Sequence, residues 1–389
     1  MNGGGSRGII SGGFGDWQST PQGQRREIQY FNTATQGNTQ YFGDLTDYAL
    51  PDDSAGNTIR VVNSHGTKAG IVDIIDYVTI AHTGDAIDFG DTTGSAHCRQ
   101  TSVSSSTRGI WAGGKTPSAI NYIEYVEIMT TGNAIDFGDL STARQSNGDG
   151  GMASRTRGFY ARGASSEITY VNFSSTGNEI DFGDMANSIT NGSSTASGST
   201  RGLIFAGYAA PATLNVIQYI TMASSGNGVD FGDLTNTGSS SAVASPTRAV
   251  MLASSANRIE YVTISTTGNA SDFGDSTISG GHRGFASNAI RAVGLGAEVS
   301  PARVNTIEYF TIATLGNAID FGDMLAGKAE GSAASSPIRA VYGGGVSPGN
   351  LDVMEYVQIM TTGNTLDFGD LTQARHHVDA CSNGHGGLG

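Results

Sequence analysis

The chain has 389 residues, 14% of them charged, with 57 glycines, two cysteines and a net charge of −14. Charge this sparse does not fit a highly charged disordered chain, and glycine without a three-residue period does not fit collagen. The acidic balance argues against nucleic acid, whose phosphates are gripped by basic surfaces, and no apolar run approaches the roughly 18 residues needed to span a bilayer.

The opening stretch, MNGGGSRGIISGG, lacks the apolar core of a secretory signal. Cys98 and Cys381 are too few for a disulfide scaffold or a Cys-x-x-Cys zinc cluster, and both read as free thiols. From residue 7 onward the chain repeats. Phe-Gly-Asp recurs eight times, with Phe at 42, 89, 137, 182, 231, 273, 321 and 368, a mean spacing of about 47 residues. A Tyr stands 12 residues before each Phe, at 30, 77, 125, 170, 219, 261, 309 and 356. An Arg stands further upstream, at 7, 60, 108, 157, 201, 248, 291 and 339. Asp136-Phe137-Gly138 is also the magnesium-binding triplet of kinases. Seven copies, with Tyr41 in place of the Asp in the first repeat, rule that reading out, as does the want of a phosphate loop over a strand Lys and of a His-Arg-Asp loop.

Each unit reads as four short strands. The first is rich in small residues, as in TSVSSS (101–106), GSSTAS (192–197) and SSSAVAS (239–245). The second follows the Arg, as in RGIWAGG (108–114) and RAVYGGG (339–345), and the third carries the Tyr, as in IEYVEI (123–128) and IEYFTI (307–312). The fourth is of the AIDFGDL type. A Gly recurs between the third and fourth, at 37, 84, 132, 177, 226, 268, 316 and 363, where a tight hairpin needs φ > 0. Four-stranded antiparallel units repeated this way hide their edges by radial closure, which predicts one all-β domain over residues 1–389, an eight-bladed β-propeller. The chain starts at a second strand and ends after a first strand, HHVDACSN (376–383), so the C-terminal strand is expected to complete the N-terminal blade.

These repeats resemble kelch repeats, whose second strand ends in two glycines and whose later strands carry aromatic residues. Gly113-Gly114 and Gly343-Gly344 keep the pair, Arg162-Gly163 and Ser254-Ser255 do not, and Phe replaces the usual Trp. More narrowly, IEYVTI (259–264), TGNAIDFGDLS (131–141) and ACSNGHGGL (380–388) look like repeat proteins of marine cyanobacterial phages described as tail-fibre-like. Such proteins commonly carry an N-terminal attachment region, and none is evident ahead of the first repeat. The resemblance implies a non-enzymatic protein exposed on the phage particle, with other virion proteins or a host-surface glycan or protein as partner. The alternatives are a propeller hydrolase or lyase acting on polysaccharide, or an intracellular kelch-like interaction module.

No nucleophile–base constellation, nucleophile elbow or phosphate loop is visible, so neither a catalytic residue nor a cofactor is expected. The aspartates of Phe-Gly-Asp suit calcium as hard oxygen ligands. They match the eight arginines one for one, and a ring of buried Arg–Asp pairs is the preferred reading. His376, His377 and His385 are numerous enough for zinc, but strand neighbours point to opposite faces and exposure is preferred. The Tyr–Phe spacing is constant, whereas Arg to Tyr runs 23, 17, 17, 13, 18, 13, 18 and 17 residues, so one end of the sheets is uniform and the other variable. Recognition is expected on the variable loops. The longest, FGDWQSTPQGQRR (14–26), carries Asp16, Trp17, Arg25 and Arg26, suited to stacking on a sugar or anchoring a protein. Lys115, Tyr208 and Arg303 are candidates on other loops of that end.

Overall fold

The computed structural model describes residues 7–11, 26–32, 39–47, 50–57, 59–67, 72–93, 101–116, 118–144, 151–154, 156–161, 165–189, 194–197, 200–209, 212–235, 240–244, 247–253, 257–280, 283–288, 290–299, 301–375 and 379–382. Among these residues every regular element is a strand, and the strands pair antiparallel in eight sheets. We number the sheets one to eight along the chain, and the strands of each in the order in which the repeat presents them.

Sheet three shows the pattern. Its first strand is Thr101–Ser104, its second Arg108–Ala112, its third Ser118–Glu127 and its fourth Ile135–Arg144. Neighbours in sequence are neighbours in space, so every connection is a local hairpin. The second and third strands are buried almost continuously, Gly109 to Ala112 and Ile123 to Val126, which requires cover on both faces. The cover comes from the sheets on either side. Val62, Ile75 and Phe89 of sheet two pack on Trp111, Val126 and Ile128 of sheet three. Ile110, Ile123 and Phe137 of sheet three pack on Tyr160, Val171 and Phe173 of sheet four. The core is thus a series of slabs between successive sheets. Each fully buried Ile or Phe contributes about 1.5–3 kcal/mol.

The fixed 12-residue interval has a physical cause. In all eight sheets the Tyr of the third strand meets the Phe of the fourth edge to face, with centroids 5.6–5.9 Å apart, the geometry favoured by the ring quadrupoles. A β-bulge at the Phe makes this contact. Ile123 pairs with Gly138 and Glu124 with Asp136, which leaves Phe137 as the extra residue, turned inward, with Ile135 and Asp136 exposed. The same register shift occurs in every sheet.

The variable Arg–Tyr interval also has a structural counterpart. The 18-residue intervals of sheets five and seven build long hairpins, Arg201–Ala209 with Ala212–Thr221 and Arg291–Val299 with Ala302–Thr311. In sheets three, four and eight the fourth strand lengthens, to Ile135–Arg144, Ile180–Ile189 and Leu366–Arg375. Sheet one joins the two ends of the chain. Asp379–Ser382 pairs with Arg7–Ser11, and its order runs Gln40–Asp44, Glu27–Asn32, Arg7–Ser11, Asp379–Ser382. Of the strand expected over 376–383, residues 376–378 and 383 lie outside the described residues.

Candidate functional site

The repeated motif joins sheets. At the seam between sheets two and three, the Gly132 N–H donates to the Phe89 carbonyl (2.7 Å) and the Ala134 N–H to the Asp91 carbonyl (2.8 Å). The Asp91 N–H donates to Oδ1 of Asn133 (3.2 Å). Thr-Gly-Asn of one sheet therefore clasps Phe-Gly-Asp of the sheet before it. The Asn–Asp bond recurs at 3.0–3.1 Å from Asn178, Asn227, Asn317 and Asn364 and at 3.2 Å from Asn269, and Asp85 replaces Asn at the first seam. Between sheets eight and one, the Thr39 N–H and hydroxyl both donate to the Asp370 carbonyl, at 3.0 and 2.8 Å.

The glycine of Phe-Gly-Asp serves this clasp, while that of Thr-Gly-Asn takes the expected positive φ in a connection longer than a tight hairpin. The connection from third to fourth strand takes seven residues in sheet three, from Ile128 to Ala134. Gly132 has φ +153° and Gly90, across the seam, has φ +145°. A Cβ on Gly90 would lie 2.5 Å from the carbonyl carbon of Gly132. Only bare backbone lets the two peptides approach this closely.

The expected ring of Arg–Asp pairs is replaced by another contact. Arg60, Arg108, Arg157, Arg201, Arg248, Arg291 and Arg339 each lie over the Tyr of their own sheet, 4.2–4.7 Å from the ring centroid. The Arg201 Nη1–H then donates to the Ile264 carbonyl of the next sheet (2.9 Å), and Arg60, Arg108, Arg157, Arg248 and Arg291 do likewise. Register explains why the motif aspartate is out of reach. Arg201 pairs with Thr221, whereas Asp233 pairs with Val216. The two positions are five residue steps apart along the third strand, about 17 Å.

A second set of functional groups sits at the position before each Tyr: Gln29, Asp76, Glu124, Thr169, Gln218, Glu260, Glu308 and Glu355, all buried. The side chains of Asp76, Glu124, Gln218, Glu260, Glu308 and Glu355 reach the chain leaving the preceding sheet, while the Thr169 hydroxyl donates to Glu179 and Gln29 accepts from Thr39 within their own sheets. Glu124 accepts the Thr93 N–H (2.6 Å), Gln218 the Asn187 N–H (3.0 Å) and Glu355 the Leu325 N–H (2.9 Å). Eight polar residues at one offset in an otherwise apolar strand are the sequence signal for this row. Two of the acids hold buried cations. Arg283 pairs with Glu308 at 2.5 Å, each side chain 4% exposed, and Lys328 pairs with Glu355 while its ammonium lies 5.7 Å from the Tyr342 ring centroid. Burial pushes the Arg283 pKa down, opposed by Glu308. Burial also raises the Tyr342 phenol to about 12, helped by Glu355 and Glu330 and opposed by the Gly331 N–H, which donates to its oxygen at 2.9 Å.

The candidates on the variable loops are not brought to one point. Asp16, Trp17 and Arg25 lie outside the described residues, as do His376, His377, His385 and Cys98. Arg26 is held by its own sheet, its Nη2 3.1 Å from Asp44 Oδ2. Lys115 opens the short strand Lys115–Thr116 in the loop of sheet three, after Gly113 and Gly114 with φ +69° and +116°. Tyr208 stands opposite Thr213 near the tip of the sheet-five hairpin, and Arg303 opposite Glu298 in that of sheet seven. These three belong to alternate sheets. Among the described residues no three His, Cys, Asp or Glu side chains group as metal ligands, and no helix is long and apolar enough to cross a membrane.

No family model matches the chain, and no curated protein sequence is significantly similar to it.

Proposed function

We propose that the eight sheets are the blades of one closed β-propeller over residues 1–389, and that the chain is a non-enzymatic phage virion protein. In this reading it is associated with the tail or its fibres and presents the variable loop end to virion neighbours or to a host-surface glycan. The observation that carries the binding role is the division of the repeat. One end of sheets two to eight is made of the same clasped turn, while the hairpins of sheets three, five, seven and eight differ in length and build at the other end. A constant scaffold with variable loops at one end is how recognition surfaces are commonly mounted. The phage assignment rests on the sequence resemblance. The clasp from Thr39 to Asp370 and the pairing of Arg7–Ser11 with Asp379–Ser382 support closure.

Mass spectrometry and immunogold labelling of purified particles test the assignment; particles that lack the chain refute it. Deleting 376–389 tests closure. The truncated chain should expose two strand edges and lose cooperative melting, and one that melts like the full chain refutes closure. Trp17→Ala with Arg25→Ala tests the loop end. Hot-spot anchors contribute about 2 kcal/mol or more, so binding to whole particles or host cells should fall about thirtyfold with the melt unchanged.

A further inference from the structure

We propose that the chain associates with a second copy of itself, the turn end of one molecule seating against the fourth-strand rim of another. The charge is divided between these two surfaces. The fifteen aspartates of the repeated motif all lie on the fourth strands. Asp88, Asp136, Asp181, Asp320 and Asp367 among them are exposed. The turn end, where first strands turn into second and third into fourth, carries the row of stacked arginines instead. Each faces a strand-three residue across the sheet, and this is Thr79, Asn172, Thr221, Thr263, Thr311 or Gln358 in every described case except Glu127. Of the described carboxylates in those turns, Glu179 is itself paired, with Arg144, and Asp85 belongs to the first clasp.

Both surfaces also expose aliphatic side chains that the fold does not need outside. On the turn end these are Ile59, Met129, Ile290, Leu315, Ile338 and Met360, each 47–64% exposed. They come from sheets two, three, seven and eight, whereas the corresponding turn positions of sheets four to six are Thr, Ser or Ala. The apolar patch is therefore an arc and has a direction. On the rim the residue two before Phe is Ile87, Ile135, Ile180, Val229, Ile319 or Leu366, 43–56% exposed beside its Asp. One surface is basic with aliphatic anchors and the other acidic with aliphatic anchors. Such a pair is complementary between two copies and repulsive when like meets like, which selects a heterologous contact over a two-fold one. Aliphatic anchors on the turn end, with no exposed aromatic residue among its described residues, favour protein over sugar as the occupant. The bulge at each Phe keeps the contact one of side chains, because it spoils the edge for strand addition.

Sedimentation of the full chain over a concentration series at low and high salt tests this. Self-association is expected, weakened by salt. Ile338→Asp with Met360→Asp on the turn end should reduce it at least tenfold with an unchanged melt, and so should Lys at the six aliphatic rim positions. Mixed together, the two variants should form complexes although neither does so alone, since each keeps the surface that the other lacks. If the rim variant does not fold, titrating wild type with the turn-end variant decides, because that variant still accepts a neighbour on its rim and should terminate growing assemblies. A wild type that stays monomeric to its solubility limit overturns the proposal, and so does a mixture of folded variants that stays monomeric. Dextran sulfate binding lost in the turn-end variant, without self-association, makes the occupant an anionic glycan and also overturns it. The contact is between copies, so its failure leaves the loop end unaffected.

Discussion

Replacing Gly90 by Ala should separate the clasp from every other role of glycine in the repeat. The new Cβ would sit 2.5 Å from the carbonyl carbon and oxygen of Gly132, and backbone cannot rotate away as a side chain would. The seam must open, which removes the bonds from the Gly132 and Ala134 N–H groups and the Asp91–Asn133 bond. At about 0.5–1.5 kcal/mol each these amount to about 2–4 kcal/mol. The positive φ of Gly90 adds about 1–3 kcal/mol of strain for any L-residue. Gly84→Ala is the matched control. Its φ is +153° and a Cβ there meets nothing within 4 Å, so it carries the strain alone. Urea melts should place Gly90→Ala at least 2 kcal/mol below Gly84→Ala. Equal losses would show that the seam is not made by this approach of two peptides.

Arg201→Ala should lose about 2–5 kcal/mol, from a charged hydrogen bond to Ile264 and the Tyr219 stack, while Asp233→Asn should stay within about 1 kcal/mol; equal losses in denaturant melts would restore the Arg–Asp ring. Lys328→Met should cost about 3–5 kcal/mol by stranding the buried Glu355 carboxylate, and adding Glu355→Gln should recover much of it; a double variant no better than the single refutes the pairing. Tyr342 titrates near 10 when unfolded and near 12 when folded, so below pH 10 both states keep the proton and the group adds no pH dependence. Between pH 10 and 12 only the unfolded state ionises, and stability should fall as pH rises. Tyr342→Phe should flatten that part of the stability–pH curve, and an unchanged slope would exclude Tyr342 as its source.

The repeat was legible because it is written in side chains that pack. Tyr and Phe recur at a fixed offset since they stack on one another within a sheet, and the Arg that lies over the Tyr recurs once upstream of each pair. Strands, turn ends and the partner of the first strand could be read from that alone. The clasp was not legible, because it is made of main chain. Phe89 O and Gly132 N carry no letter of their own, and the Asp of Phe-Gly-Asp joins through its N–H with its carboxylate left outside. One-for-one matching of Arg with Asp was therefore misleading; counting cannot see that the two groups occupy opposite ends of a strand. The polar row before the Tyr residues was written plainly, but Gln, Thr, Asp and Glu share no charge and invite no single chemistry. On the loop end the sequence shows candidate residues without a rule for bringing them together, and Lys115, Tyr208 and Arg303 stand on separate hairpins.

The pairing of Arg7–Ser11 with Asp379–Ser382 also decides how the molecule answers to force. Gly8 stands opposite Ser382 and Ser11 opposite Asp379, so the chain enters and leaves this sheet at the same end. A pull between residues 7 and 382 acts across the ladder and loads its hydrogen bonds one pair at a time, beginning with Gly8 and Ser382. That is the weakest direction in which two strands can be parted. A pull on either terminus against a grip elsewhere on the body bears along the strands and loads the bonds together. A molecule that must hold while a particle is dragged against a surface would do best tethered by one end of its chain, and would open like a zip if held by both.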